Sequence, residues 1–190
     1  MPATGVVALD QFTKWLIRTT PALQNVDIIK GWLAFHYTQN PGMALGLDFL
    51  STPVISTISI LATIGIFIYL MRSLNHTQTG YLILMGLILG GACGNISDRL
   101  FMGIIEGYGG LLQGHVVDFI HFNLEINDWP VFPYIFNVAD ISISVSIVSL
   151  LLFSKKFFDV KKEQTTENDD GAINPKAEEL PIHLDTKQEN

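Results

Sequence analysis

The chain has 190 residues, 48% of them hydrophobic, with 18 acids against 11 bases and a mean hydropathy of +0.36. That apolar share, gathered into long blocks, excludes an ordinary soluble domain, and with no basic patch or basic–aromatic alternation no nucleic-acid partner is expected. The lone cysteine, Cys93, excludes an intramolecular disulfide and a cysteine metal cluster.

The start, Met-Pro-Ala-Thr-Gly, has neither a basic n-region nor an apolar h-region, so no cleavable secretory signal is expected. Val6 to Leu9 is apolar, Asp10 and Lys14 interrupt, and Trp15 to Ile17 is apolar again, which amounts to about half a span. Ile28 to Thr38 mixes aromatic and β-branched residues and runs into a turn signal at Asn40-Pro41-Gly42, which predicts a strand. Pro53 to Met71 is the first clear span; at ~1.5 Å per residue it reaches roughly 28 Å, near the ~30 Å hydrocarbon core. Gly80 to Ser97 is the next, with Gly86, Gly90, Gly91 and Gly94 allowing close helix contact, the first two as a small-xxx-small pair. Val116 to Leu124 predicts a second strand, and Tyr134 to Phe153 a last span studded with serines. The polar, charged tail from Glu163 is expected to be disordered.

These elements predict an all-α membrane protein of four transmembrane helices, the N-terminal one included, with a small β-rich cap on the outer membrane face. A membrane-embedded domain covers 1–160 and a cytoplasmic tail 161–190. The lysines after Phe153 (Lys155, Lys156, Lys161, Lys162) and Arg72 after the Pro53 span place those sites in the cytoplasm. The stretches 18–52 and 98–133 then face outward, with Trp15, Trp32 and Trp129 on or near that face as an aromatic belt.

Charge inside a span is costly and defaults to function. Asp140 falls a turn or two into the last span, with Asn137 three residues before it on the same face. Asp118, flanked by Val117 and Phe119, is poorly solvated without a partner. Two carboxylates brought together would share one proton: the ionised member activates a water and the protonated member polarises a carbonyl. The plainer readings are a surface acid and a helix-packing polar residue. Asn95 and Arg99 lie one turn apart on one face; Arg99 suits a lipid phosphate, a substrate carbonyl, a structural carboxylate or an interfacial anchor, and Asp10 and Lys14 suit a helix ion pair. Cys93, in a Gly-rich apolar helix, reads as a core cysteine, and His115 and His121 carry no metal-binding pattern.

Five boxes in order resemble bacterial lipoprotein signal peptidase, the signal peptidase II family, over about residues 10–145. They are Asp10-Gln11-Phe12-Thr13-Lys14, Asn40-Pro41-Gly42-Met43-Ala44-Leu45-Gly46, Gly90 to Arg99, Val116-Val117-Asp118-Phe119 and Phe136-Asn137-Val138-Ala139-Asp140. The resemblance implies an aspartic endopeptidase with Asp118 and Asp140 catalytic, and with Asn95, Arg99, Asn137, Asn40, Asp10, Lys14 and Gly91 binding or supporting. It implies removal of signal peptides from diacylglyceryl-modified prolipoproteins before the lipidated cysteine, at the outer side of the bacterial inner membrane with both termini cytoplasmic. Membrane lipid and a globomycin-type inhibitor are implied partners, and no metal or other cofactor is implied. Leu45 departs from the family's usual phenylalanine, and 123–133 and the tail lie outside the core pattern. A small transporter or proton relay using intramembrane acids is the alternative, though the spans show no internal repeat; a lipid-binding scaffold is a third.

Overall fold

The computed structural model describes residues 2–42, 50–74, 78–127 and 129–153, all within the unit 1–154. Met43 to Gly46 of the second box, the lysines after Phe153 and the tail, with the boundary at 160, lie outside the described residues.

Helix α1 (Pro2–Thr19) is continuous. Asp10 and Lys14 do not interrupt it, because they pair one turn apart, Nζ to Oδ2 at 2.9 Å. The half-span expected there is therefore corrected to an 18-residue helix, ~27 Å long. Its pattern is inverted relative to a soluble helix: Asp10 and Lys14 are 0% and 3% exposed, while Leu9, Phe12 and Trp15 are 54%, 57% and 52% exposed. A helix that buries charge and presents hydrocarbon outward suits lipid as its solvent.

Among the described residues, helices α2 (Thr52–Ser73) and α3 (Thr79–Ile105) are the two that qualify by length and hydropathy together as membrane-crossing, at 52–72 and 79–105. Helix α3 runs two turns past Ser97, so Asn95, Asp98 and Arg99 lie inside it rather than at its end. Nothing in Leu100-Phe101-Met102 breaks a helix. Gly107 does, at φ +74°, with its N–H bonded to Ile104 O and that of Tyr108 to Gly103 O, the Schellman arrangement that a left-handed glycine permits.

Helix α3 is central and packs on α1, α2 and α4 (Val138–Leu152). Its glycines divide between two neighbours. A Cβ on Gly86 would lie 2.8 Å from Pro2 Cγ, and one on Gly90 2.7 Å from Ala3 O, both on α1. One on Gly91 would lie 2.6 Å from Ala139 O on α4, and one on Gly94 2.5 Å from Asp10 Oδ2. Close helix approach is what these positions provide.

The predicted single strand over Ile28–Thr38 is two: β1 (Asn25–Ile29) and β2 (Leu33–Asn40) form a hairpin about a turn closed by Trp32 N–H to Ile29 O at 3.0 Å. Strand β3 (Val116–Phe122) pairs antiparallel with β2, Asp118 opposite Thr38. Strands β4 (Glu125–Ile126) and β5 (Trp129–Pro130) form a separate pair within the 123–133 insertion. Strand β6 (Ile135–Phe136) completes the main sheet in the order β1-β2-β3-β6. The last helix thus starts at Val138, not at Tyr134, because Ile135 and Phe136 are extended and paired to β3.

Candidate active site

The sheet and the helix ends meet at Asn137. It caps α4 with its side-chain oxygen accepting Asp140 N–H (3.0 Å), while Asp140 Oδ2 accepts Asn137 N–H (3.1 Å). This reciprocal box satisfies two N–H groups that a helix start leaves bare. It also puts Asp140 in the first turn, earlier than the turn or two into a span expected from sequence. The Asn137 amide nitrogen is then free to reach β3, and donates to Asp118 Oδ1 at 2.7 Å. One residue therefore holds both acids, Asp140 through its backbone and Asp118 through its side chain.

Two further amides complete the ring. Asn95 Nδ2 on α3 donates to Asp140 Oδ1 at 2.8 Å. Asn40 Nδ2 at the end of β2 donates to Asp118 Oδ2 at 3.1 Å, and its Oδ1 accepts Gly42 N–H at 2.9 Å. Asn95 Oδ1 accepts from both Asn137 Nδ2 (3.1 Å) and Lys14 Nζ (2.9 Å), which forces the Asn95 amide nitrogen toward Asp140.

Asp118 is buried. Burial, and after it the charge of Asp140, pushes its pKa up to about 7 despite opposing hydrogen bonds from Asn40 and Asn137. Near neutral pH it is therefore partly protonated, able to donate as well as accept.

Beneath this ring lies an ionic cluster. Lys14 Nζ sits 2.9 Å from Asp10 Oδ2 and 2.8 Å from Asp98 Oδ2. Asp10 Oδ1 accepts Ala139 N–H at 3.0 Å, Asp98 Oδ2 accepts Val117 N–H at 3.1 Å, and Gln11 Nε2 donates to Asp98 Oδ1 at 2.9 Å. The carboxylates thus tie α1 to α4 and α3 to β3. Sequence reasoning left Asp98 and Gln11 out of the site; their signal was polarity inside an otherwise apolar helix and within the first box. Gly91 touches Ala139 and Ile143 as a helix contact.

Arg99 lies among the charges of Asp118, Asp98 and Asp140. Its Nη1 is buried and has no hydrogen-bond partner among the described residues, and a Cβ on Gly42, whose φ is +119°, would stand 3.3 Å from it. A buried unpartnered guanidinium nitrogen calls for an explanation. Cys93 is half-buried on α3, His121 packs on His36, and His115 packs on Tyr108.

Helices that bury charge and expose hydrocarbon, with two carboxylates joined at their ends by shared amides, describe a membrane-embedded protein equipped for acid–base chemistry. A family model described as signal peptidase (SPase) II matches residues 3–156. A lipoprotein signal peptidase of Chlorobium phaeobacteroides (strain BS1) is 38% identical over 169 residues, covering 82% of this chain and 94% of its own. One from Pelodictyon phaeoclathratiforme (strain DSM 5477 / BU-1) is 35% identical over 157 residues, covering 80% and 87%. A bacterial membrane enzyme solved by the in meso method at 2.3 Å resolution matches with a TM-score of 0.59 at 28% identity, covering 95% of this chain and 92% of that one. The chain belongs to the signal peptidase II family. It is a bacterial membrane peptidase, and the transporter reading is not favoured.

Proposed function

We propose that this peptidase is of the aspartic type and removes signal peptides from diacylglyceryl-modified prolipoproteins, cutting before the lipidated cysteine with Asp118 and Asp140. The observation that carries the reading is Asn137, bonded to Asp118 through its side chain and to Asp140 through its backbone. Asp118, with its pKa near 7, carries the shared proton. Asp140 takes a proton from a water as the water oxygen bonds to the scissile carbonyl carbon, and Asp118 gives its proton to the carbonyl oxygen. Collapse of the tetrahedral adduct breaks the C–N bond; a proton passes to the leaving amine and the new acid departs. Arg99 Nη1, buried without a partner among the described residues, supplies a second donor to the same carbonyl oxygen as the adduct forms. Asn95, Asn137 and Asn40 position the acids, and Lys14 and Asp10 hold Asn95 and α4 in place.

The four helices all cross the membrane in this reading, with both termini cytoplasmic and the dyad toward the outer face. The inverted face of α1, the exposed Trp15, Trp32 and Trp129 and Arg72 after the first clear span support it. The acyl chains of the substrate stay against the lipid-facing helices and fix the depth of the scissile bond, an orientation effect. A globomycin-type inhibitor would compete at the dyad. The peptidase domain covers 1–160, and 161–190 is an accessory tail.

Purified protein assayed on a lipidated prolipoprotein tests this. Asp118→Asn and Asp140→Asn should each abolish cleavage while the protein still inserts and folds; near-normal cleavage by either ends the aspartic mechanism. Arg99→Lys should recover only part of what Arg99→Ala loses, since lysine lacks the planar fork.

A further inference from the structure

A cavity of about 590 Å³ lies against Gly42, the start of α2 and the loop that follows α3, within the ~300–1,000 Å³ common for ligand sites. The loop is held on both sides. Ser56 Oγ of α2 donates to Leu112 O at 2.9 Å, and Gly114 N–H donates to Arg99 O at 3.0 Å. Gly114 lies so close to the Asp98 carbonyl that a Cβ there would overlap it. Tyr108, Gln113 and His115 therefore stand at fixed places in the cavity wall, across from Ser51 and Thr52.

The polar groups of this wall are set up as donors. Gln113 Oε1 already accepts Gly110 N–H at 2.9 Å, which leaves its amide nitrogen to donate. Tyr108 Oη accepts His115 N–H at 2.7 Å, which leaves its proton. Ser51 caps α2 without any side-chain bond to the helix, so its hydroxyl is uncommitted there. Burial and then the charge of Arg99 lower the His115 pKa, and burial raises that of Tyr108, so both are uncharged at neutral pH. No acid stands among the described lining residues. Such donors suit a ligand rich in acceptors, and an extended peptide backbone presents a row of carbonyls.

The cavity is joined to the dyad through Gly42, whose N–H is bonded by Asn40, the residue that also donates to Asp118. His115 precedes Asp118 by three residues. A peptide cut at the dyad has two chemically different flanks. The signal side ends in an apolar stretch, which belongs against hydrocarbon. The segment after the cut starts at the lipidated cysteine, whose acyl chains stay in the bilayer, and its backbone then continues away from the hydrocarbon.

We propose that this cavity binds the segment of substrate that follows the scissile bond, gripping its backbone carbonyls with Gln113, Tyr108 and His115. The proposal rests on the peptidase reading above and adds a subsite to it.

Two synthetic lipopeptides with the same signal sequence and a diacylglyceryl cysteine test it on the full chain. One ends as an amide at that cysteine; the other continues for four uncharged residues. The extended peptide should be cleaved with about tenfold higher kcat/KM, mainly through KM, as two or three added hydrogen bonds would give. The double variant Gln113→Ala, His115→Ala, and the milder Tyr108→Phe, should shrink that ratio toward one while cutting the short peptide at the wild-type rate. The short peptide thereby reports on folding within the same experiment. Equal cleavage of both peptides by the wild type, or an undiminished ratio in the variants, overturns the subsite. Cleavage of neither by the wild type overturns the peptidase reading and the subsite with it.

Discussion

Two pairs of carboxylates lie within one site, and they are held in opposite ways. Asp10 and Asp98 share an ammonium, with Lys14 Nζ at 2.9 and 2.8 Å, and their other bonds come from the backbone of α4 and β3 and from Gln11. Asp118 and Asp140 take their hydrogen bonds, among the described residues, from the neutral amides of Asn137, Asn95 and Asn40, with the Arg99 charge nearby. A cation between two acids neutralises charge and makes a tie; an amide between two acids orients them and leaves the charge unresolved, so that a proton has to be held there. The same residue type serves as structure or, in the reading proposed above, as chemistry according to the group placed between the pair.

The comparison breaks most visibly when one member of each pair is altered. Asp118→Asn should reduce turnover by at least about 10²–10⁴-fold, the usual worth of a positioned acid or base, yet leave the thermal midpoint in detergent at or above that of the wild type. The sign follows from the pKa. A carboxyl raised from 3.8 to about 7 in the folded state makes the folded state bind more protons than the unfolded one over that interval. Stability therefore falls as pH rises from about 4 through 7. The asparagine variant escapes this loss, so its advantage in midpoint should be larger at pH 8 than at pH 4; an advantage confined to acid pH would contradict the buried-acid reading.

Lys14→Met should act in the reverse order. It leaves Asp10 and Asp98 buried without their cation, a defect of about 3–5 kcal/mol, so the midpoint should drop sharply and activity should fail with it. Unchanged melting would mean the cluster is not a tie.

Smaller effects sharpen the contrast. Gly94→Ala places a methyl 2.5 Å from Asp10 Oδ2 and should cost about 1–3 kcal/mol of stability through overpacking. Gly65→Ala on α2, where a Cβ meets nothing within 4 Å, should instead gain about 0.5–1 kcal/mol, and paired melts of the two variants check both. Asn40→Ala removes a bond that lowers the Asp118 pKa, so the alkaline limb of the kcat/KM profile should move to higher pH; movement to lower pH would assign that limb to another group. Deleting 163–190 should leave cleavage at the wild-type level in the prolipoprotein assay.

Much of this protein is legible without coordinates. The long apolar blocks around 53–71 and 80–97 specify helices because no other local structure satisfies a backbone in hydrocarbon. The glycines at 86, 90, 91 and 94 mark a helix built for close neighbours. Asp118, Asp140 and the asparagines near them stand out as polar groups in apolar company, and their boxes point to the family.

Other features belong to the tertiary structure. Asp10 and Lys14 look like breaks in a weak span until remote partners, Ala139 for Asp10 and Asp98 and Asn95 for Lys14, turn them into the inner face of a continuous helix. Ile135 and Phe136 look like the start of a span until β3 claims them and makes Asn137 a cap. That cap is what joins the two acids, and it depends on a strand and a helix start meeting at one residue. Local hydropathy reports what a segment prefers as solvent; it carries no information on which distant group will neutralise a charge or satisfy an N–H. Those pairings are set when the elements pack, and in this chain they separate the carboxylates tied to an ammonium from those held by neutral amides.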